Sequence, residues 1–190
     1  IGAYSEKQIM PEDKLVSVPE GISDEVASCI TLKGITAEYL LHRAYPLKKG
    51  DKVLYHAAAG GLGQILCPWA KALGAEVFGT VGSKAKEEIA KKNGCHHVIN
   101  YSEKDFVEEV EKIVGKNGID VVYDGVGSKT FKGSIESLKI RGMMVAFGNA
   151  SGYVNTLDIK KDINAKGLFF TRPSIAHYTV KREELVESAK

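Results

Sequence analysis

Hydrophobic and polar positions follow two different periods along this chain, and the change from one to the other marks out its elements. Short apolar, partly β-branched runs stand at Val53 to Tyr55, Glu76 to Thr80, His97 to Asn100, Asp120 to Tyr123, Met143 to Phe147 and Leu168 to Thr171. These are the strand candidates. Helical composition separates the first five. The clearest case follows Ser102-Glu-Lys-Asp105, a capping box, where Phe106, Val107, Val110, Ile113 and Val114 recur at helical spacing as one apolar stripe. Gly74, Gly94, Gly115 and Gly142 each stand just past a periodic run, where a left-handed C-cap ends a helix. Nearly continuous apolar strands alternating with helices imply a parallel sheet covered on both faces. The expected fold is α/β, a doubly wound six-stranded parallel sheet of Rossmann type.

Upstream of that alternation, Ile1 to Gly21 is punctuated by Pro and Gly and holds two extended candidates, Ala3 to Met10 and Lys14 to Val18. Ser23 is an N-cap with Asp24 and Glu25 in the first helical turn, where acids suit the macrodipole. A second helix is expected over roughly Gly34 to Ala44, ending before Pro46. One local rule is broken. Pro68 falls inside the helix after the first strand, where it removes a hydrogen bond and costs about 3 kcal/mol or imposes a kink.

Composition narrows the partners. With 190 residues, 44% hydrophobic and 26% charged, the chain can bury one sizeable core without staples. A net charge of +2 with Lys and Glu interspersed leaves no electrostatic footprint for nucleic acid or a membrane surface, so a small-molecule partner is expected. No run approaches the roughly 18 apolar residues of a membrane span. Cys29, Cys67 and Cys95 are odd in number and widely spaced, which points to a reducing, cytoplasmic compartment. His96 and His97 adjoin Cys95, but neighbours on a strand face opposite ways, so no zinc site is expected. Tyr45 to Lys49 has a Tyr-x-x-x-Lys spacing, yet it precedes the glycine loop and contains the helix-breaking Pro46. No G-x-x-x-x-G-K-[ST] phosphate loop occurs.

The chemistry concentrates between Asp51 and Leu73. Ala58-x-Gly60-x-x-Gly63 joins the first strand to the following helix and matches the dinucleotide fingerprint with Ala in place of its first Gly. Gly60 lets the main chain approach a pyrophosphate, and Gly63 lets the helix lie close to the strand. Loop N–H groups and the helix N-terminus then face the phosphates. An NAD-preferring site carries an acid about 20 residues further on. Here the second strand exits through Phe78-Gly-Thr-Val-Gly-Ser-Lys-Ala-Lys86, with lysines and no acid.

The block AAAGGLGQ…WAKALGAEVFGTVGS…HHVINY…VVYDGVG…GMMVAFGNASG…FTRPS, with LKGITAEYLL upstream, resembles the cofactor domain of the zinc-independent quinone oxidoreductases of the medium-chain dehydrogenase/reductase superfamily. That resemblance implies NADPH as cofactor and hydride transfer to a quinone or similar electron-poor acceptor. Gly60, Gly61 and Leu62 would line the pyrophosphate. Gly82, Lys86 and Tyr101 would surround the adenosine 2′-phosphate, and Val126 would lie beneath the cofactor. Phe147, Asn149 and Ser151 would hold the nicotinamide end, with Thr36 reaching it from the upstream helix. No residue is nominated as a proton donor. An enoyl reductase of the same superfamily, or a non-catalytic NADPH-binding protein, are the alternatives.

The resemblance also implies a larger enzyme. Residues 1–22 would be the remnant of a preceding GroES-like domain, 23–175 the dinucleotide-binding domain and 176–190 the start of the segment returning to the first. The chain alone is then expected to bind cofactor but hardly to reduce quinone. Leu168 to Thr171 should form a sheet edge, and relatives of this kind pair that edge across a two-fold axis, so a homodimer is expected.

Overall fold

The computed structural model describes residues 4–190. Its strands are β1 (Lys52–His56), β2 (Glu76–Val81), β3 (His97–Asn100), β4 (Ile119–Asp124), β5 (Leu138–Ala146) and β6 (Phe169–Thr171). The longer helices are α1 (Asp24–Glu38), α2 (Gly63–Ala72), α3 (Lys84–Lys92), α4 (Phe106–Val114) and α5 (Phe131–Ser137), with α6 (Ile175–Tyr178) and α7 (Arg182–Ser188) near the end. All strands pair in parallel in the order β3-β2-β1-β4-β5-β6. That is the expected doubly wound sheet. Successive strand residues feed opposite faces. Val53 and Tyr55 pack with Leu66, Val77 and Tyr123 on one side, while Leu54 packs with Phe78, Ile119, Val122, Phe131 and Met144 on the other.

Four expectations need correction. The two upstream helices are one: α1 runs from its Ser23 cap through Gly34 and on into a π-helical turn, Tyr39–Ala44. A glycine inside a helix costs about 1 kcal/mol. Burial of Ile35, Ala37, Tyr39, Leu40 and Leu41 against the sheet outweighs it. Neither N-terminal extended candidate becomes a strand among the described residues, and Ala3 lies outside them. Glu12–Lys14 is a single 3-10 turn, and Tyr4, Ile9, Leu15 and Val18 are exposed with no neighbouring strand to pair them.

The capping box before α4 is not formed. Asp105 is the N-cap, its Oδ1 accepting from Val107 N at 2.8 Å and Glu108 N at 3.2 Å, while Ser102 Oγ donates to Gly82 O at 2.9 Å. Asp105 directly precedes the helix and so stands next to its open N–H groups. Gly74, Gly94 and Gly115 have the positive φ expected of them, at 86°, 88° and 79°. Gly142 does not end a helix. Helix α5 stops at Ser137 and runs straight into β5, and Lys166 Nζ caps it by donating to Ile135 O, Glu136 O and Leu138 O. The β4–β5 pairing then shifts between Ile119↔Leu138 and Val121↔Met143, with Arg141 at φ 61°.

Pro68 sits within an unbroken α2 on its exposed side. The carbonyl it frees, that of Gln64, lies on the same exposed face, where water can satisfy it. No helix among the described residues is long and apolar enough to cross a membrane.

Candidate functional site

Chain connections leave β1 and β4 toward opposite edges of the sheet, so a crevice opens beyond their carboxyl ends, where ligands bind in such folds. Three loop groups meet there.

The first is the glycine loop. Ala57 turns the chain with φ 61°, Ala58 N donates to Thr80 O, and Gly60 N donates back to Ala57 O at 2.8 Å. A methyl group on Gly63 would fall 2.4 Å from Ala58 O and 2.7 Å from Ala58 C, so only glycine lets α2 start this close to the strand end. Both contacts are backbone and cannot yield. The N–H groups of Gly61, Leu62 and Gly63 have no acceptor among the described residues. They are the open end of a ten-residue helix and suit an anion. Leu62 itself is partly buried and packs its side chain against the core.

The second group joins the ends of β2 and β3. Tyr101 lies over Gly82: a methyl there would come within 2.5 Å of the tyrosine hydroxyl oxygen and 2.9 Å of the ring carbon bearing it. The glycine is a seat for the ring. Ser102 clamps the same turn through Gly82 O. Lys86 stands in the first turn of α3, exposed, with no hydrogen bond or ion pair from its ammonium among the described residues. The neighbouring Glu87 carboxylate is taken up by Asn100 Nδ2 at 3.2 Å.

The third group lies past β4 and β5. Phe147 reaches across Gly125, where a methyl would meet its ring at 2.8 Å, and its ring lies 6.4 Å from that of Tyr55, nearly parallel. Asn149 Oδ1 accepts from Arg172 at 3.4 Å. Ser151 closes the loop on Val126: its hydroxyl donates to Val126 O at 2.9 Å and accepts from Lys129 N at 3.1 Å. Thr36, on α1, turns its hydroxyl back to Leu32 O at 2.7 Å. Gly60, Gly61, Leu62, Gly82, Lys86, Tyr101, Val126, Phe147, Asn149 and Ser151 thus gather at one edge of the sheet. The side-chain hydroxyls of Ser151 and Thr36 are already engaged.

Beneath these loops runs a buried polar chain. Asp124, at the end of β4, accepts at Oδ1 from Val126 N (2.8 Å) and Gly127 N (2.9 Å), and at Oδ2 from Thr130 Oγ1 (2.7 Å) and Ser134 Oγ (3.0 Å). His56, at the end of β1, lies between Ser134 Oγ and Thr80 Oγ1, both at 2.9 Å. Because Ser134 spends its proton on Asp124, it accepts from His56 Nε2, and in the neutral ring Nδ1 then accepts from Thr80. Burial disfavours the protonated ring. Sequence reasoning passed over this pair, although an acid ending a buried strand immediately before Gly-Val-Gly is an Asx-turn signal. It also passed over Tyr39, whose ring stacks on Tyr178 at 4.5 Å and whose hydroxyl burial pushes up to about 12. Only the packing reveals that stack.

Burial holds the His56 pKa below its ordinary 6.5, against the opposing pull of Asp124. As pH falls through that value the unfolded chain takes up a proton that the folded chain refuses. Stability is therefore fully present above about 6.5 and expected to decline below it, by up to about 1.4 kcal/mol per pH unit from this group. Urea unfolding at pH 7.0 and 5.5, compared with His56→Gln, measures it. An unchanged pH dependence in the variant would contradict the assignment.

No group of three or more His, Cys, Asp or Glu side chains among the described residues is arranged to hold a metal.

A family model described as zinc-binding dehydrogenase matches residues 61–189. A 2-haloacrylate reductase from Burkholderia sp is 48% identical over all of this chain and 58% of its own length. Quinone oxidoreductase 1 of Escherichia coli K12 is 46% identical, again over 100% of this chain and 58% of the relative. The chain therefore spans little more than half the length of the curated relatives it matches. Among solved structures, a 2-haloacrylate reductase superposes with TM-score 0.93 at 47% identity over 99% of this chain and 59% of that one. An Escherichia coli quinone oxidoreductase complexed with NADPH superposes with TM-score 0.86 at 47% identity over 90% of this chain and 52% of that one. Loop, strand order and family match agree: the chain belongs to the zinc-binding dehydrogenase family and corresponds to the dinucleotide-binding part of its quinone oxidoreductase-like members.

Proposed function

We propose that this chain is the NADPH-binding domain of a quinone oxidoreductase, with residues 23–175 as the domain proper. The observation that carries the reading is the pairing of open loop N–H groups at Gly61 to Gly63 with an acid-free β2 exit, where Lys86 and Tyr101 stand in place of a ribose-binding carboxylate. When bound, the cofactor supplies the hydride at C4 of its nicotinamide. The chain's own residues bind and orient. Gly60 to Leu62 cradle the diphosphate, Tyr101 and Lys86 hold the adenosine end, and Phe147 backs the crevice over Gly125. The backbone turn at Val126 is set from below by Asp124. A quinone acceptor is favoured by the quinone oxidoreductase relatives, and no zinc is needed in this reading.

Titration calorimetry with NADPH and NADH tests the cofactor, and NADPH oxidation by the full-length protein with quinones tests the acceptor. Tight NADPH binding with quinone turnover is the expected result; preference for NADH would sink the reading. The 48% identical 2-haloacrylate reductase favours a second acceptor class, an electron-poor alkene. An enone assay beside the quinone assay separates the two.

Assembly is part of the proposal. Strand β6 is an edge, and Phe169 and Phe170 on it are 60% and 38% exposed. Unpaired backbone and apolar side chains of that kind invite a second copy, so a homodimer through this edge is expected. Light scattering at tens of micromolar that found only a species of about 20.6 kDa would contradict it. Buried free thiols at Cys67 and Cys95 suit a reducing, cytoplasmic compartment.

A further inference from the structure

We propose that Lys33, on α1, is a second cation of the dinucleotide site and acts on the pyrophosphate, separately from Lys86 at the 2′-phosphate. This rests on the dinucleotide reading above. Gly61 supplies the argument. The fingerprint asks for small residues at Ala58, Gly60 and Gly63 and leaves position 61 free. Nor does Gly61 adopt the left-handed backbone that would require glycine. What lies over it is the end of the Lys33 side chain. A methyl on Gly61 would fall 2.6 Å from Lys33 Cε, 3.2 Å from Cδ and 3.6 Å from Nζ. The lysine stem lies across the glycine that the loop presents to a phosphate.

The ammonium is held there and is not spent. Lys33 Nζ donates to Cys29 O, one turn back on α1, at 2.9 Å, and pairs with no carboxylate among the described residues. Two of its three donors stay free. Next to it are the N–H groups of Gly61 and Leu62, also without acceptors. A compact charge fixed from one side beside open backbone donors is suited to a diphosphate, which carries no information about the adenosine 2′ position.

The test is binding, measured by calorimetry on the full-length protein with three ligands. ADP-ribose carries the pyrophosphate without a 2′-phosphate, 2′-AMP carries the reverse, and NADPH carries both. Lys33→Met, which keeps the stem on Gly61, is expected to weaken ADP-ribose and NADPH about tenfold and to leave 2′-AMP unchanged. Lys33→Arg should retain most of the affinity. Gly61→Ala should reproduce the Met result by lifting the stem while keeping the charge. An ADP-ribose affinity unchanged in Lys33→Met, with wild-type protein binding normally, would reduce Lys33 to packing between α1 and α2. Equal losses for 2′-AMP and ADP-ribose would also overturn the assignment. Wild-type protein that bound none of the three would instead bring down the dinucleotide reading and this one with it.

Discussion

Lys86→Ala is expected to weaken NADPH binding about ten- to a hundredfold and to leave NADH nearly unchanged. A charge-assisted hydrogen bond contributes roughly 1.5–3 kcal/mol net, and each ~1.4 kcal/mol is tenfold in affinity. Lys86 stands in the first turn of α3, where the N-terminal end of the helix adds to its own charge. Its neighbour Glu87 accepts from Asn100 Nδ2 at 3.2 Å and makes no ion pair with Lys86 among the described residues. Lys84 precedes it by two residues and therefore points ~200° around the helix, so the two cannot serve one phosphate. The exposed position makes the effect salt-dependent, larger at low ionic strength. Calorimetry on wild type and variant with both cofactors measures it. Equal losses for NADPH and NADH would mean that Lys86 supports the fold, and a loss confined to Lys84→Ala would move the role to that lysine.

Asp124→Ala should be the most destabilising single change at the site, at about 3–5 kcal/mol. The carboxylate accepts from two backbone N–H groups and two hydroxyls in a place from which water is excluded. Truncation leaves the amides of Val126 and Gly127 without their acceptor, and Ser134 loses the partner that sets the His56 tautomer. Against a typical total of 5–15 kcal/mol, that is a large share of the fold's stability. Asp124→Asn separates charge from geometry. Its carbonyl oxygen can still serve Val126 and Gly127, and Thr130 can turn its hydroxyl to Gly127 O at 3.2 Å. Ser134 cannot find a new acceptor so easily, so a cost of about 1–2 kcal/mol is expected. Denaturant midpoints measured at one pH give both numbers. An Ala variant within 1 kcal/mol of wild type would show that the network is satisfied from elsewhere.

Much of this architecture is legible in one dimension because its signals are local. A strand apolar on every residue, such as Val121 to Tyr123, and a helix apolar on one stripe, such as Phe106 to Val114, declare themselves by period alone. Glycines that need a left-handed backbone do so too, and Gly74, Gly94 and Gly115 were readable for that reason. The glycine loop and the missing acid after β2 belong to the same class. Each states its requirement within a few residues.

Tertiary structure decided whatever depended on competition between distant groups. Gly34 looked like a break, but the sheet buries the residues around it and the helix runs through. Gly142 looked like a cap until Lys166, 24 positions away, took the last carbonyls of α5. Asp105 rather than Ser102 capped α4, because Gly82, just past the end of β2, drew the serine hydroxyl. The site divides in the same way. Gly60 and Gly63 follow from the fingerprint, but that the Lys33 side chain lies over Gly61 and the Tyr101 ring over Gly82 is decided by separate elements brought together. Period and backbone conformation are properties of neighbours in sequence; which donor reaches which acceptor is settled only when the chain folds and groups far apart compete for one place.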